Sequence, residues 1–329
     1  MASKGQSTHQ PTHQPTQRSS PEISTDGRFV RQRNRFTDRI TTDGSSGFPA
    51  EPGRYQLYVS LACPWAQRSL IVRRLLGLED TIGVTVVDPI RDERGWRFTL
   101  SPGGRDPVTG HAFLADLYRA SDPTYTGRYT VPCIWDRTER RLVSNDFPQI
   151  TLTMETEFTA YHRPGAPDLY PAELREEIDA VNAVVYENVN NGVYRAGFAT
   201  TQEAYEEAFD ALFATLDELE RRLAGRRFLC GDRLTEADVR LFTTLARFDA
   251  VYYSHFKCNL RRLVDYPNLW GYARDLYRRP GFGDTTDFDH IKRHYYGTHG
   301  NLNPSRIVPK GPAIDWSSPR DRDRFPDHR

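Results

Sequence analysis

The chain has 329 residues, enough for two domains with separate cores, and its 44 basic residues balance 44 acidic ones. Zero formal net charge without a basic-aromatic stripe argues against nucleic acid as a partner. No apolar run reaches the ~18 residues of a membrane span, no hydrophobic signal segment opens the chain, and Cys63, Cys133, Cys230 and Cys258 fit neither a disulfide framework nor a zinc site; a cytoplasmic protein with reduced thiols is expected.

Residues 1–28 are rich in Ser, Thr, Gln, His and Pro and read as a disordered tail, where His9 and His13 fit a solvated segment better than a metal pair. From Phe29 to Ile40 aromatic and Arg residues become frequent, and Gly47 to Gly53 is a turn-rich entry to the first strand. There Leu57, Val59 and Leu61 alternate with Gln56, Tyr58 and Ser60. Ala62-Cys63-Pro64 breaks that period, and Leu70, Ile71, Arg74 and Leu75 take up helical spacing. Pro64 suits the first helical position, which puts Cys63 at the N-cap, facing unpaired amides and the positive end of the helix dipole. A thiolate is stabilised there, so Cys63 is expected to be reactive, with a pKa well below the free value of about 8.5. The alternative is a small residue capping a buried turn.

Ile82 to Val87 is a β-branched run and predicts a second strand parallel to the first, completing a βαβ unit. Residues 88–127 form a polar insertion holding Trp96 and a Gly103-Gly104 pair without the Lys-Ser/Thr of a phosphate loop. Thr130 to Asp136 gives a third strand, and Leu142 to Ile150 a fourth passing into a helix. From Leu169 the chain turns helical. Leu174, Ile178, Val181, Val184 and Val185 make one apolar stripe, and Ala208, Leu212, Leu216, Leu219 and Leu223 another, both expected in the core. Thr235 and Asp238 have capping-box spacing. His290 and His294 stand four apart, a metal-ligand spacing on a helix, but no carboxylate context supports a metal.

Cys63-Pro64-Trp65-Ala66, with Arg68 and the Leu/Ile/Val/Arg helix after it, resembles the active-site run of the glutathionyl-hydroquinone reductases, the Xi class of the glutathione transferase superfamily. Similar segments recur at Val131-Pro132, Asn190 to Ala199, Gly231 to Asp238, Asp249 to Tyr252, Asp265 to Trp270 and Phe288 to Tyr296, so the likeness spans residues 28–312. It implies an N-terminal arm and thioredoxin-like α/β domain (29–160), an all-α domain of glutathione-transferase type (165–312), a charged tail (313–329) and a symmetric homodimer.

The resemblance also implies a chemistry. Cys63 would attack the ligand sulfur of a small-molecule quinol conjugate, release hydroquinone and keep the thiol as a mixed disulfide, which a second thiol resolves. Trp96 matches a tryptophan that lies against the bound tripeptide, although it could equally anchor its loop. Pro132 would be cis, with Val131 pairing in β fashion to the cysteinyl part of the ligand. Cys133 is expected to point into the sheet, near enough to Cys63 that a resolving role stays open. Tyr194, Tyr252 and Tyr295 match positions around the aromatic substrate. Where the family has Glu-Ser at the γ-glutamyl end, this chain has Asp146-Phe147, losing a hydroxyl whose charge-assisted bond is worth about 1.5–3 kcal/mol. The thiol is therefore expected to be glutathione or another low-molecular-weight thiol, mycothiol among them, with no metal. Three other readings stand beside this one: a glutaredoxin-like thiol-disulfide oxidoreductase, a conjugating transferase, and a non-enzymatic interaction module on the same fold.

Overall fold

The computed structural model describes residues 22–327. β1 (Tyr55–Val59) is buried along its whole length at the heart of a four-stranded sheet of order β2-β1-β3-β4. β2 (Ile82–Val86) runs parallel to β1, β3 (Cys133–Asp136) antiparallel to β1, and β4 (Arg141–Ser144) antiparallel to β3. The period of two then divides the side chains: Leu57, Val59 and Ile134 enter one core, Tyr58, Cys133 and Trp135 the other.

α1 (Pro64–Leu76) connects β1 to β2 and buries Ala66, Ile71, Val72, Leu75 and Leu76, each large aliphatic worth about 1.5–3 kcal/mol. Gly77 stops it in the left-handed region (φ 74°), and a Cβ there would sit 2.6 Å from Arg163 Cβ. α2 (Leu114–Ser121) lies within the insertion expected to be only loop. Its Leu114, Leu117 and Tyr118 close over the second core with Phe98 and Trp96. Two turns are too short for a period to stand out in a polar stretch. α3 (Phe147–Thr156) follows β4 and packs beside α1.

The helical half contains α4 (Arg175–Val185), α5 (Gly192–Phe198), α6 (Gln202–Leu223), α7 (Glu236–Arg247), α8 (Pro267–Tyr277) and α9 (Phe288–Thr298). Wide π turns extend α4 through Tyr186–Asn190 and α7 through Phe248–Tyr252. The α6 stripe is buried as expected. In α4, Ile178, Val181 and Val185 are buried but Val184 is 47% exposed, because adjacent helical residues point about 100° apart and only one of the pair can face the core. Asp238 accepts from the amides of Leu229 and Thr235, both at 2.9 Å, and from Tyr272 Oη at 2.8 Å, a structural role at the start of α7.

Both chain ends reach further into the fold than the composition implied. Residues 1–21, with His9 and His13, lie outside the described residues, but 22–28 pack on the helical half: Thr200 donates its amide to Gly27 O at 3.0 Å, and Arg28 pairs with Glu207 at 2.6 Å. The segment after 312, read as a charged tail, also docks through residue 327. Trp316 stacks on Tyr277 (4.8 Å, 27°) and meets Trp270 edge-on (4.9 Å, 70°). Arg320 pairs with buried Asp275 at 2.6 Å, and fully buried Arg322 donates to Leu223 O at 2.8 Å. Charge alone suggested solvation; the arginines instead cap carbonyls and carboxylates inside. No helix among the described residues is long and apolar enough to cross a membrane.

Candidate active site

Cys63 stands where β1 turns into α1, with extended backbone (φ −79°, ψ 121°) and Pro64 opening the helix. Its Sγ donates to Val131 O at 3.3 Å across the cleft. The Val131-Pro132 peptide is cis. No side-chain hydrogen bond from Cys63 caps α1, and burial pushes the thiol up from its ordinary value. The amides of Ala66 and Trp65 and the charges of Arg247 and Arg31 pull the other way without winning. This runs opposite to the expected lowered pKa: at this partly buried cysteine, losing water costs a thiolate more than the helix terminus returns.

The four cysteines are all free. Cys133, Cys230 and Cys258 are buried and Cys63 only partly so. Burial raises Cys133 far above the ordinary thiol range, and its side chain belongs to the second core, with Tyr58 and Tyr118.

Cys63, Trp65, Trp96, Val131, Phe147, Tyr194 and Tyr295 line one cleft. Tyr194 comes from α5, Tyr295 from α9, and Tyr252 from the π turn after α7. Their hydroxyls form a chain, Tyr194 to Tyr295 at 2.5 Å and Tyr295 to Tyr252 at 3.0 Å, with Tyr252 behind the wall, not on it. Each hydroxyl can donate or accept within this cluster, and those of Tyr194 and Tyr295 belong to residues that line the cleft. Burial raises all three phenols, which therefore stay neutral donors at neutral pH.

Trp96 is 4% exposed in the second core, which anchors its loop, and it also lines the cleft while stacking on His294 (4.9 Å, 25°). Phe147, at the first turn of α3, packs on Trp65 (4.5 Å) and Tyr186 (6.3 Å) and presents no polar atom from its side chain. Asp146 falls on a neighbouring groove with Arg31 and Arg240, accepting from Asn34 Nδ2 at 3.1 Å, and burial raises its pKa. Pro132 does not line the cleft.

Other lining residues went unread in the sequence. Arg31 from the arm lies over Trp65 and Tyr194, 5.0 Å from each ring. Arg91 from the insertion approaches Trp96 at 5.6 Å, and Arg128 pairs with Glu22. The Arg-aromatic run after Phe29 was the one available signal. His294 binds Pro89 O through Nδ1 at 2.8 Å; the carbonyl can only accept, so Nε2 is left as an acceptor. His290 sits 3.9 Å from Asp287, and among the described residues no group of three or more His, Cys, Asp or Glu could hold a metal ion.

A thioredoxin-like sheet carrying one thiol at a helix start, beside an all-α domain, is the arrangement of the glutathione transferases. Residues 62–157 match the glutathione S-transferase N-terminal domain and residues 202–275 the C-terminal domain. The chain is 52% identical to the glutathionyl-hydroquinone reductase PcpF of Sphingobium chlorophenolicum, covering 88% of this chain and 91% of that one. Two solved structures superpose closely. One is a Xi class transferase from Natrialba magadii (45% identity, TM-score 0.87, 92% and 97% covered), and the other the glutathione-bound YqjG of Escherichia coli K-12 (47%, 0.84, 91% and 99%). The chain therefore belongs to the glutathionyl-hydroquinone reductase family, enzymes of the Xi class of the glutathione transferase superfamily.

Proposed function

We propose that this enzyme reduces S-conjugated hydroquinones through a mixed disulfide on Cys63. The observation that carries the reading is a partly exposed thiol and a bonded set of neutral phenols facing one cleft. The Cys63 thiolate attacks the conjugate's sulfur; an S–S bond forms and the aryl C–S bond breaks. Its electron pair goes to the ring carbon, which takes a proton, and hydroquinone leaves. A second thiol attacks the ligand sulfur of the mixed disulfide, giving a low-molecular-weight disulfide and returning Cys63. The phenol chain donates to the quinol oxygen while charge shifts onto the ring.

Glutathione is the thiol favoured by the name of PcpF and by the ligand of the YqjG structure. Val131 offers its backbone to the cysteinyl part, Trp96 a flat wall, and Arg31, Arg91 and Arg128 positive charge for carboxylates. Phe147 supplies no hydroxyl for the γ-glutamyl end, which keeps mycothiol as a second candidate. The enzyme is read as a homodimer from its resemblance, checked by sedimentation. Hydroquinone release from glutathionyl-hydroquinone with excess glutathione tests the reading: wild type turns over and Cys63→Ser falls to background. Turnover surviving in Cys63→Ser would overturn it, and activity on simple mixed disulfides alone would favour the glutaredoxin-like alternative.

A further inference from the structure

Arg247, the last residue of α7, is 0% exposed, and every acceptor it uses is neutral. Nε donates to Ala62 O at 2.9 Å and Nη2 to Leu61 O at 3.1 Å, while Nη1 donates to Gln67 Oε1 at 2.5 Å and Thr243 O at 2.7 Å. Buried Arg227 shows the usual solution, a two-pronged bond to Asp275 at 3.0 and 3.1 Å. A buried cation without a counter-ion is costly unless an anion arrives. The two carbonyls that Arg247 holds belong to the residues immediately before Cys63, and Gln67 lies one turn beyond it.

We propose that Arg247 is a positioning residue of the reaction: it pins the Leu61-Ala62 turn to the helical domain and reserves positive charge for the anionic sulfur of Cys63. This rests on Cys63 being the nucleophile. Its charge counts twice, once when the resting thiol ionises and again when Cys63 leaves the mixed disulfide as thiolate, where a lower leaving-group pKa speeds departure. The other charged or titratable groups that act on Cys63 are Arg31 of the arm, Arg91 of the insertion, Arg68 of α1 and Tyr194 of α5; no carboxylate is among them. Arg247 also acts on Tyr252, Tyr295 and His294. Of the cations, Arg247 is the one bonded to the Cys63 turn itself, and its charge opposes the burial that raises the thiol.

The test is a Cys63 titration in the full chain, by thiolate absorbance and by alkylation rate against pH. Arg247→Met should move the midpoint up by about one pH unit, tenfold less thiolate at a given pH, and Arg247→Lys should recover most of it. Should Arg247→Met fail to fold, Gln67→Glu keeps the acceptor at 2.5 Å but supplies a counter-ion, and should also move the midpoint upward. An unchanged midpoint in either folded variant overturns the proposal and leaves Arg247 as a structural pin. The titration reads Arg247 whether or not Cys63→Ser loses turnover, so the two readings fail separately.

Discussion

The two walls of the cleft are built by opposite rules. The thiol wall is one contiguous piece, β1, the Cys63 turn and α1, completed by the backbone of Val131. Its chemistry depends on main-chain geometry and a helix end. The phenol wall gathers three hydroxyls from α5, a π turn and α9, across 101 residues of chain from Tyr194 to Tyr295. Its chemistry depends on how helices pack. The thiol wall should therefore tolerate side-chain change around one sulfur, and the phenol wall should fail when any helix shifts.

The sharpest way to separate the walls is Tyr295→Phe, which removes the hydroxyl common to both bonds. Turnover of the quinol conjugate should fall about 10²–10⁴-fold, the range of a lost general acid, while reduction of a simple mixed disulfide stays within about twofold. Steady-state rates on both substrates check it, and equal losses would erase the division.

Next is Gly197→Ala, a packing test of the phenol wall without touching a phenol. A Cβ there would lie 2.2 Å from the Phe256 ring, which itself packs on Tyr194. Overpacking should cost about 1–3 kcal/mol in thermal or denaturant unfolding and lower quinol turnover, with Cys63 alkylation unchanged.

Acid should act on the same wall. Burial first, then Lys257 for His255 and Arg91 for His294, hold these rings down at about 4 and about 3. The unfolded chain protonates both below about 6.5, so it binds more protons than the native state there. Their contribution to stability is complete above that pH and is lost as pH falls through 6.5, toward about 4 for His255 and about 3 for His294. Melting temperature against pH should show this slope, reduced in His294→Asn.

The smallest effect belongs to Phe147→Ser. A hydroxyl at the start of α3 should raise preference for glutathionyl over mycothionyl conjugates about tenfold, measured as the ratio of kcat/KM values. No change would mean that Phe147 only packs on Trp65.

What the sequence disclosed follows the same division. The thiol wall was legible because strand period, Cys-Pro and helix period fall within one short run. The phenols were visible only through resemblance, since nothing local marks Tyr194, Tyr252 or Tyr295 as neighbours. The direction of the Cys63 shift was misread because a motif shows the dipole but not the water it excludes. Arg247 left no signal and His294 showed only its spacing from His290, as the carbonyls of Leu61, Ala62 and Pro89 that they bind come from distant segments. Trp316 was hidden among charges that composition assigned to solvent.

The most direct measurement of the central claim is an intact-protein mass spectrum after one equivalent of glutathionyl-hydroquinone, without free thiol. The account predicts one glutathione added by disulfide to Cys63, hydroquinone released in equal amount, and loss of the adduct on reduction. Hydroquinone released with no adduct, or an adduct on Cys133, Cys230 or Cys258 instead, would contradict it.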